Sequence, residues 1–264
     1  MTIRQGCLSG TPRVYCILPE TGETIMQSAL SDRLEDVRAR VAEAARRAGR
    51  DPGDVTIIGV TKTLPAELVA EGVEAGLTEL GENRFQGIPE KQAKVAELVG
   101  EDHAADLKWH FIGHLQTNKV RSVLETFTMI HSLDRESLVD RVDRIAGELG
   151  LVAHGLIQVN ISGAESQGGV EPEDLVSLAE SASNRDFLRI HGLMAIGPNT
   201  EDREAIRQAF RALAGYSRQL EEKNFSGVTM EMLSMGMSGD YEIAVEEGAT
   251  HVRIGTAIFG PRRI

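Results

Sequence analysis

The sequence predicts an α/β protein, a single (β/α)8 barrel with an extra helix ahead of its first strand. Three observations carry this. Short apolar, β-branched runs alternate with amphipathic stretches along most of the chain. Most of those runs are apolar throughout, as strands buried on both faces of a parallel sheet must be. The length, 264 residues, suits the roughly 250 that such a barrel takes. A doubly wound open sheet is the competing arrangement, but it has edges and usually fewer strands.

Taken in order, residues 1–27 carry Gly, Pro, Thr and Ser without any period and read as a poorly ordered extension, with the barrel occupying 28–264. The alternative is an upstream translation start, with Met26 near the beginning of the folded part. Ser31 reads as an N-cap, and Leu34, Val37, Val41, Ala44 and Ala48 follow at steps of three and four, up to Gly49 and Pro52. That spacing predicts an amphipathic helix. VTIIGVTK then gives the first strand, and Pro65 opens the next helix. Continuing the pattern predicts strands at 55–61, 78–82, 108–113, 128–133, 155–162, 189–196, 229–236 and 251–258. The predicted helices lie near 65–76, 89–99, 117–126, 136–149, 172–183, 201–223 and 240–248.

Composition excludes several classes of protein. Apolar residues at 41% and charged residues at 26% describe a globule able to build a core. With 28 Lys+Arg against 40 Asp+Glu the net charge is −12, the wrong sign for a nucleic-acid or anionic-membrane binder. No apolar run approaches the roughly 18 residues of a membrane span, and the apolar stretch Val14–Leu18 is too brief for a signal peptide. Cys7 and Cys16 have neither zinc-site nor CxxC spacing, so a reducing cytoplasm is the expected location.

In such barrels the functional site lies at the C-terminal ends of the strands. There the sequence places Lys62, Asn83, His110, His114, His131, Asn160, Met194, the stretch Ser234–Asp240, Arg253, Gly255 and Thr256. Lys62 follows TIIGV; partial desolvation at the barrel mouth would lower its pKa and make it a Schiff-base nucleophile, whereas the plainer reading is a strand-end lysine reaching water. SMGMSGD and the Gly255–Thr256 pair offer hydroxyls and backbone N–H groups at the ends of the last two strands, the recurrent phosphate position of this fold; singly, each is also a flexible turn. Arg253, inside a strand, needs a ligand or an acid, Glu231 or Glu82 being the internal candidates. His110 and His114 have the HxxxH spacing of helical metal ligands, yet they flank a strand-like run with no obvious third ligand, so no metal is expected. Met235 and Trp109 read as packing. Asn83 and Asn160 read as ligand contacts because of their position.

A Schiff-base lysine with a phosphate cup describes a pyridoxal 5′-phosphate site. The blocks IIGVTKTLPAE, ELGENRFQ, WHFIGHLQTNK, IHSLD, QVNIS, HGLMAIGP and LSMGMSGDYEIAVEEGATHVRIGTAIFG together resemble the pyridoxal phosphate homeostasis protein family, which is similar to the N-terminal barrel of alanine racemase. The resemblance spans about residues 28–264. It implies that Lys62 carries the cofactor covalently as an aldimine and that Arg253 meets the pyridine nitrogen. It also implies that Ser234, Ser238, Gly255 and Thr256 hold the phosphate, while Asn83 and Met194 line the ring. Which serine faces inward is left open by the motif.

The function so implied is a carrier or buffer in vitamin B6 homeostasis, passing the cofactor transiently to apo-enzymes, rather than a dedicated catalyst. Racemisation needs a second acid/base group. Of the three tyrosines, only Tyr241 falls near the proposed site. A slow amino-acid racemase is the alternative, and a cofactor-free sugar-phosphate enzyme using Lys62 stands third. A monomer is expected.

Overall fold

The computed structural model describes residues 22–163 and 167–261, with side chains from residue 29 onward. Eight parallel strands close in sequence order: β1 (Thr56–Val60), β2 (Glu79–Glu82), β3 (Lys108–Phe111), β4 (Met129–Leu133), β5 (Ala153–Gln158), β6 (Leu188–Met194), β7 (Val228–Ser234) and β8 (His251–Ile254). β8 returns to β1 through the register Thr56 opposite His251 to Gly59 opposite Ile254. The expected (β/α)8 barrel is therefore the observed one, and the open sheet is excluded.

The surrounding helices are α1 (Gly22–Arg47), α2 (Ala66–Glu74), α3 (Ile88–Val99), α4 (Glu101–Ala105), α5 (Val120–Leu124), α6 (Glu136–Leu149), α7 (Leu175–Ser183), α8 (Arg203–Lys223), α9 (Tyr241–Glu246) and α10 (Thr256–Phe259). Each long helix turns one apolar stripe inward. In α6 this is Leu138, Val139, Val142, Ile145 and Ala146, all buried, and each fully buried aliphatic side chain of this kind contributes about 1.5–3 kcal/mol. α8 begins where Asp202 Oδ1 accepts from the backbone N–H groups of Glu204 (2.9 Å) and Ala205 (3.3 Å), and it ends at Asn224 in the left-handed region.

Three boundaries differ most from expectation. α1 starts at Gly22, so Ser31 lies inside the helix instead of capping it. Of the expected extension 1–27, residues 1–21 lie outside the described residues and 22–27 are the first turns of α1. β5 ends at Gln158 rather than at 162, because Val159 bridges to Val170 in the loop beyond. β8 ends at Ile254, and residues 256–259, expected as strand, are α10. A short apolar run ending in glycine suits either state, and here Ile258 and Phe259 bury themselves as a helical turn.

α1 closes the structure. Its buried face, Leu30, Leu34, Val37, Val41 and Ala44, packs against α9 and α10. Arg33 Nε donates to the Ile258 carbonyl (2.6 Å), and Arg47 pairs with Glu246 (2.8 Å). The first described helix thus clasps the last two helices.

Candidate functional site

A cavity of about 750 Å³ opens at the C-terminal ends of the strands, where the fold predicts a site. Of the eight residues expected at the site, Lys62, Asn83, Met194, Ser238, Arg253, Gly255 and Thr256 line it. Ser234 does not; it is fully buried beneath, against Arg253. The two serines separate in space: Ser238 faces the cavity and Ser234 supports the arginine.

Lys62 is set by what precedes it. Thr61, fully buried, donates from Oγ1 to Glu82 Oε1 (2.7 Å), and Lys91 Nζ binds the same carboxylate oxygen (2.6 Å) and the Thr61 carbonyl (2.7 Å). This clamp fixes the end of β1 at the residue before the lysine. It also uses Glu82, one of the acids considered for Arg253. The other, Glu231, is exposed on β7. Arg253 instead donates through Nη1 to Ser234 Oγ (2.7 Å) and through Nη2 to the Ala195 carbonyl (2.8 Å). Burial lowers its pKa to about 10, opposed by the charge of Asp240, so the guanidinium remains a cation at neutral pH. Asp240 is in turn shifted upward by burial, although the Met237 N–H and Arg253 oppose the shift.

The loop after β7 is tied in two ways. Asp240 Oδ1 accepts from Met237 N–H (2.6 Å), and Ser238 Oγ accepts from the Ala257 N–H (3.3 Å), joining this loop to α10. Gly236 has φ +93°, and a Cβ there would lie 2.6 Å from the Ala244 Cβ, so only glycine lets the loop turn back under α9. Across the mouth, a Cβ on Gly113 would meet the Asn83 carbonyl oxygen at 2.1 Å. Glycine there lets the β3 loop lie directly on Asn83.

His114 and Met237, which the sequence places at the strand ends without a role, also line the cavity, and so does Gln158, which it did not point to. Gln158 occupies a strand end, the signal that found the others, but overextending β5 hid it. His110 and His114 separate: His110 is buried in the barrel, while His114 is exposed and lies 3.6 Å from Asp134. Asn160, expected at a ligand, is committed to Glu171 (2.9 Å) and Ser162. Tyr241 is buried with the Arg40 guanidinium 5.6 Å from its ring centre, and it does not line the cavity. Met235 and Trp109 are core residues, as expected. A larger cleft of about 920 Å³ adjoins the site, sharing Asn83 and His114, but neither Lys62 nor Arg253 reaches it.

Barrel topology and strand-end site define a class, and comparison with known proteins agrees: residues 33–263 match the family described as alanine racemase, N-terminal domain. Two relatives named pyridoxal phosphate homeostasis protein are more informative. The one from Aquifex aeolicus is 42% identical over 232 residues, covering 88% of this chain and 98% of its own. The one from Pseudomonas aeruginosa is 44% identical over 237 residues, covering 89% and 96%. The structure of PipY from Synechococcus elongatus with PLP bound superposes with a TM-score of 0.75 at 35% identity, over 88% of this chain and all of that one. The chain belongs to the pyridoxal phosphate homeostasis protein family.

Proposed function

We propose that this protein binds pyridoxal 5′-phosphate at the barrel mouth and serves its homeostasis, holding the cofactor covalently on Lys62 and releasing it to apo-enzymes in the cytoplasm. One observation carries the reading: Lys62 and Arg253 line one cavity together with Ser238, Gly255 and Thr256. The donor set fits the ligand. Lys62 supplies an amine for the aldehyde, Arg253 a fixed cation for the ring nitrogen, and the two loop ends hydroxyls and backbone groups for a phosphate. When bound, the cofactor supplies an aldehyde that captures amines and a ring that withdraws electrons.

The chain's own residues favour holding over turnover. Arg253 stays cationic, and a cation at the ring nitrogen opposes protonation there, which weakens electron withdrawal. Racemisation needs a proton donor on each face of the ligand, and Tyr241, the tyrosine considered for that role, is packed against Arg40 of α1 instead.

The test is an absorbance spectrum of purified protein incubated with pyridoxal 5′-phosphate, before and after borohydride, with Lys62→Ala alongside. The expected result is a near-visible band that borohydride removes, leaving a reduced adduct on Lys62. A wild type that stays colourless refutes the reading. Loss of the α-proton from amino acids at enzymatic rates would replace the carrier with a racemase.

A further inference from the structure

Beneath Arg253 a column of polar side chains crosses the barrel interior, drawn from five strands. Arg253 on β8 donates to Ser234 Oγ on β7 (2.7 Å). Ser234 Oγ lies 3.1 Å from His131 Nδ1 on β4, and His131 Nε2 lies 2.9 Å from His110 Nδ1 on β3. His110 Nε2 lies 2.6 Å from Glu79 Oε2 on β2, and Glu79 Oε1 accepts from Lys108 at the bottom of the barrel (2.9 Å). Ser234 and His131 are fully buried and His110 nearly so.

The direction of the bonds follows from the two ends. A guanidinium only donates and a carboxylate only accepts, so Ser234 accepts from Arg253 and Glu79 accepts from His110 Nε2; passing one hydrogen per link between those ends sends the Ser234 proton to His131 Nδ1. His131 therefore carries its hydrogen on Nε2 and gives it to His110 Nδ1. His110 in turn carries its hydrogen on Nε2 and gives it to the Glu79 carboxylate. Tautomers in this chain are thus dictated by the network. His131 is pushed well below its ordinary pKa by burial, with His110 and Arg253 adding to the effect. Glu79 falls to about 2 because the hydrogen bonds from His110 and Lys108 outweigh its burial. All donors point from the cation toward the anion, an arrangement in which each bond polarises the next.

We infer that Ser234, His131, His110 and Glu79 are positioning residues for Arg253. They hold its guanidinium in a single orientation at the cavity floor, as a donor to whatever ring occupies the site. A buried polar column is a poor way to gain stability alone, since well-packed apolar residues usually serve as well or better. Its yield here is the fixed direction of one cation. The inference rests on the reading of pyridoxal 5′-phosphate as the ligand.

The test has a ligand-free arm and a ligand arm. In ligand-free protein, ¹⁵N correlation spectra of the imidazoles should show the Nε2 of both His110 and His131 carrying the hydrogen and the Nδ1 of His131 accepting. Ser234→Ala should release His131 from that tautomer. In loaded protein, Ser234→Ala should speed dissociation of pyridoxal 5′-phosphate about tenfold, the factor one ordinary hydrogen bond supplies. It should also shift the absorption maximum. Glu79→Gln keeps the side chain's shape and one of its two acceptors, and removes the charge at the far end of the barrel. It should shift the maximum in the same direction by less, an effect that a merely structural role would not produce. A wild-type His131 with its hydrogen on Nδ1 overturns the inference. So does a Ser234→Ala protein that holds the ligand with wild-type kinetics and maximum. A wild type that takes up no ligand refutes the underlying reading instead, and the ligand-free spectra still decide the column.

Discussion

At the barrel mouth, Lys62, Ser238 and Thr256 line an open cavity; one layer down, Ser234, His131, His110 and Glu79 are bonded to one another. The two serines of SMGMS show the contrast at its sharpest. They are four residues apart, Ser234 ending β7 and Ser238 in the loop after it, yet Ser238 faces the cavity while Ser234 is sealed between an arginine and a histidine. Polar groups at the mouth border a volume that a ligand can enter. Those in the column bond to each other, so that one of them, Arg253, is aimed.

The two regions should therefore fail differently when mutated. Lys62→Ala should abolish the borohydride-fixed adduct, read by mass spectrometry, while urea unfolding stays close to wild type. A large loss of stability would mean that the mouth lysine also supports the fold. His131→Leu should do the reverse: it strands the Ser234 proton and His110 Nδ1 in the interior, at a cost of about 2–4 kcal/mol in urea unfolding. A stability within about 0.5 kcal/mol of wild type would show that the column is not bonded as described.

A pH series separates the regions without mutation. Burial lowers the pKa of His251 to about 4, with Glu79 opposing and His110 and Lys108 assisting, and burial also holds His131 well below its ordinary value. The unfolded chain binds these protons as pH falls through about 6.5, whereas the folded chain refuses them. Stability should therefore decline from pH 6.5 downward, by on the order of 1–3 kcal/mol from His251 by pH 4, where its share levels off. Glu79, held at about 2, contributes stability that is present above its ordinary 4.5 and lost between 4.5 and 2. Thermal midpoints that stay flat from pH 7 to pH 5 would contradict the burial of these imidazoles. The smallest effect belongs to the mouth: Ser238→Ala should leave stability within about 0.5 kcal/mol and weaken ligand retention by a few-fold, measured by dialysis.

The same division explains what could be read in the sequence. Each mouth residue sits at the end of an apolar run, so locating the runs located Lys62, Asn83, Met194, Arg253 and the Gly255–Thr256 pair. Gln158 escaped because the extended pattern runs on past it to Val159, which pairs with the loop residue Val170. The column was not legible as a unit. Its members come from five strands, with His131 and Ser234 separated by 103 positions, and only closure of the barrel makes them neighbours. The helical turn 256–259 was missed for a local reason, since four residues are too few to display a period.

α1 presents a problem of timing. Its apolar face is complete once Ala44 has been made, but the helices that cover it, α9 and α10, lie between residues 241 and 259. On a ribosome adding about 5–20 residues per second, that face waits roughly 10–40 seconds for its partners. The clasp cannot form before residue 259 has been made. Until then, an amphipathic helix of 26 residues is a surface that chaperones can hold and other nascent chains can stick to.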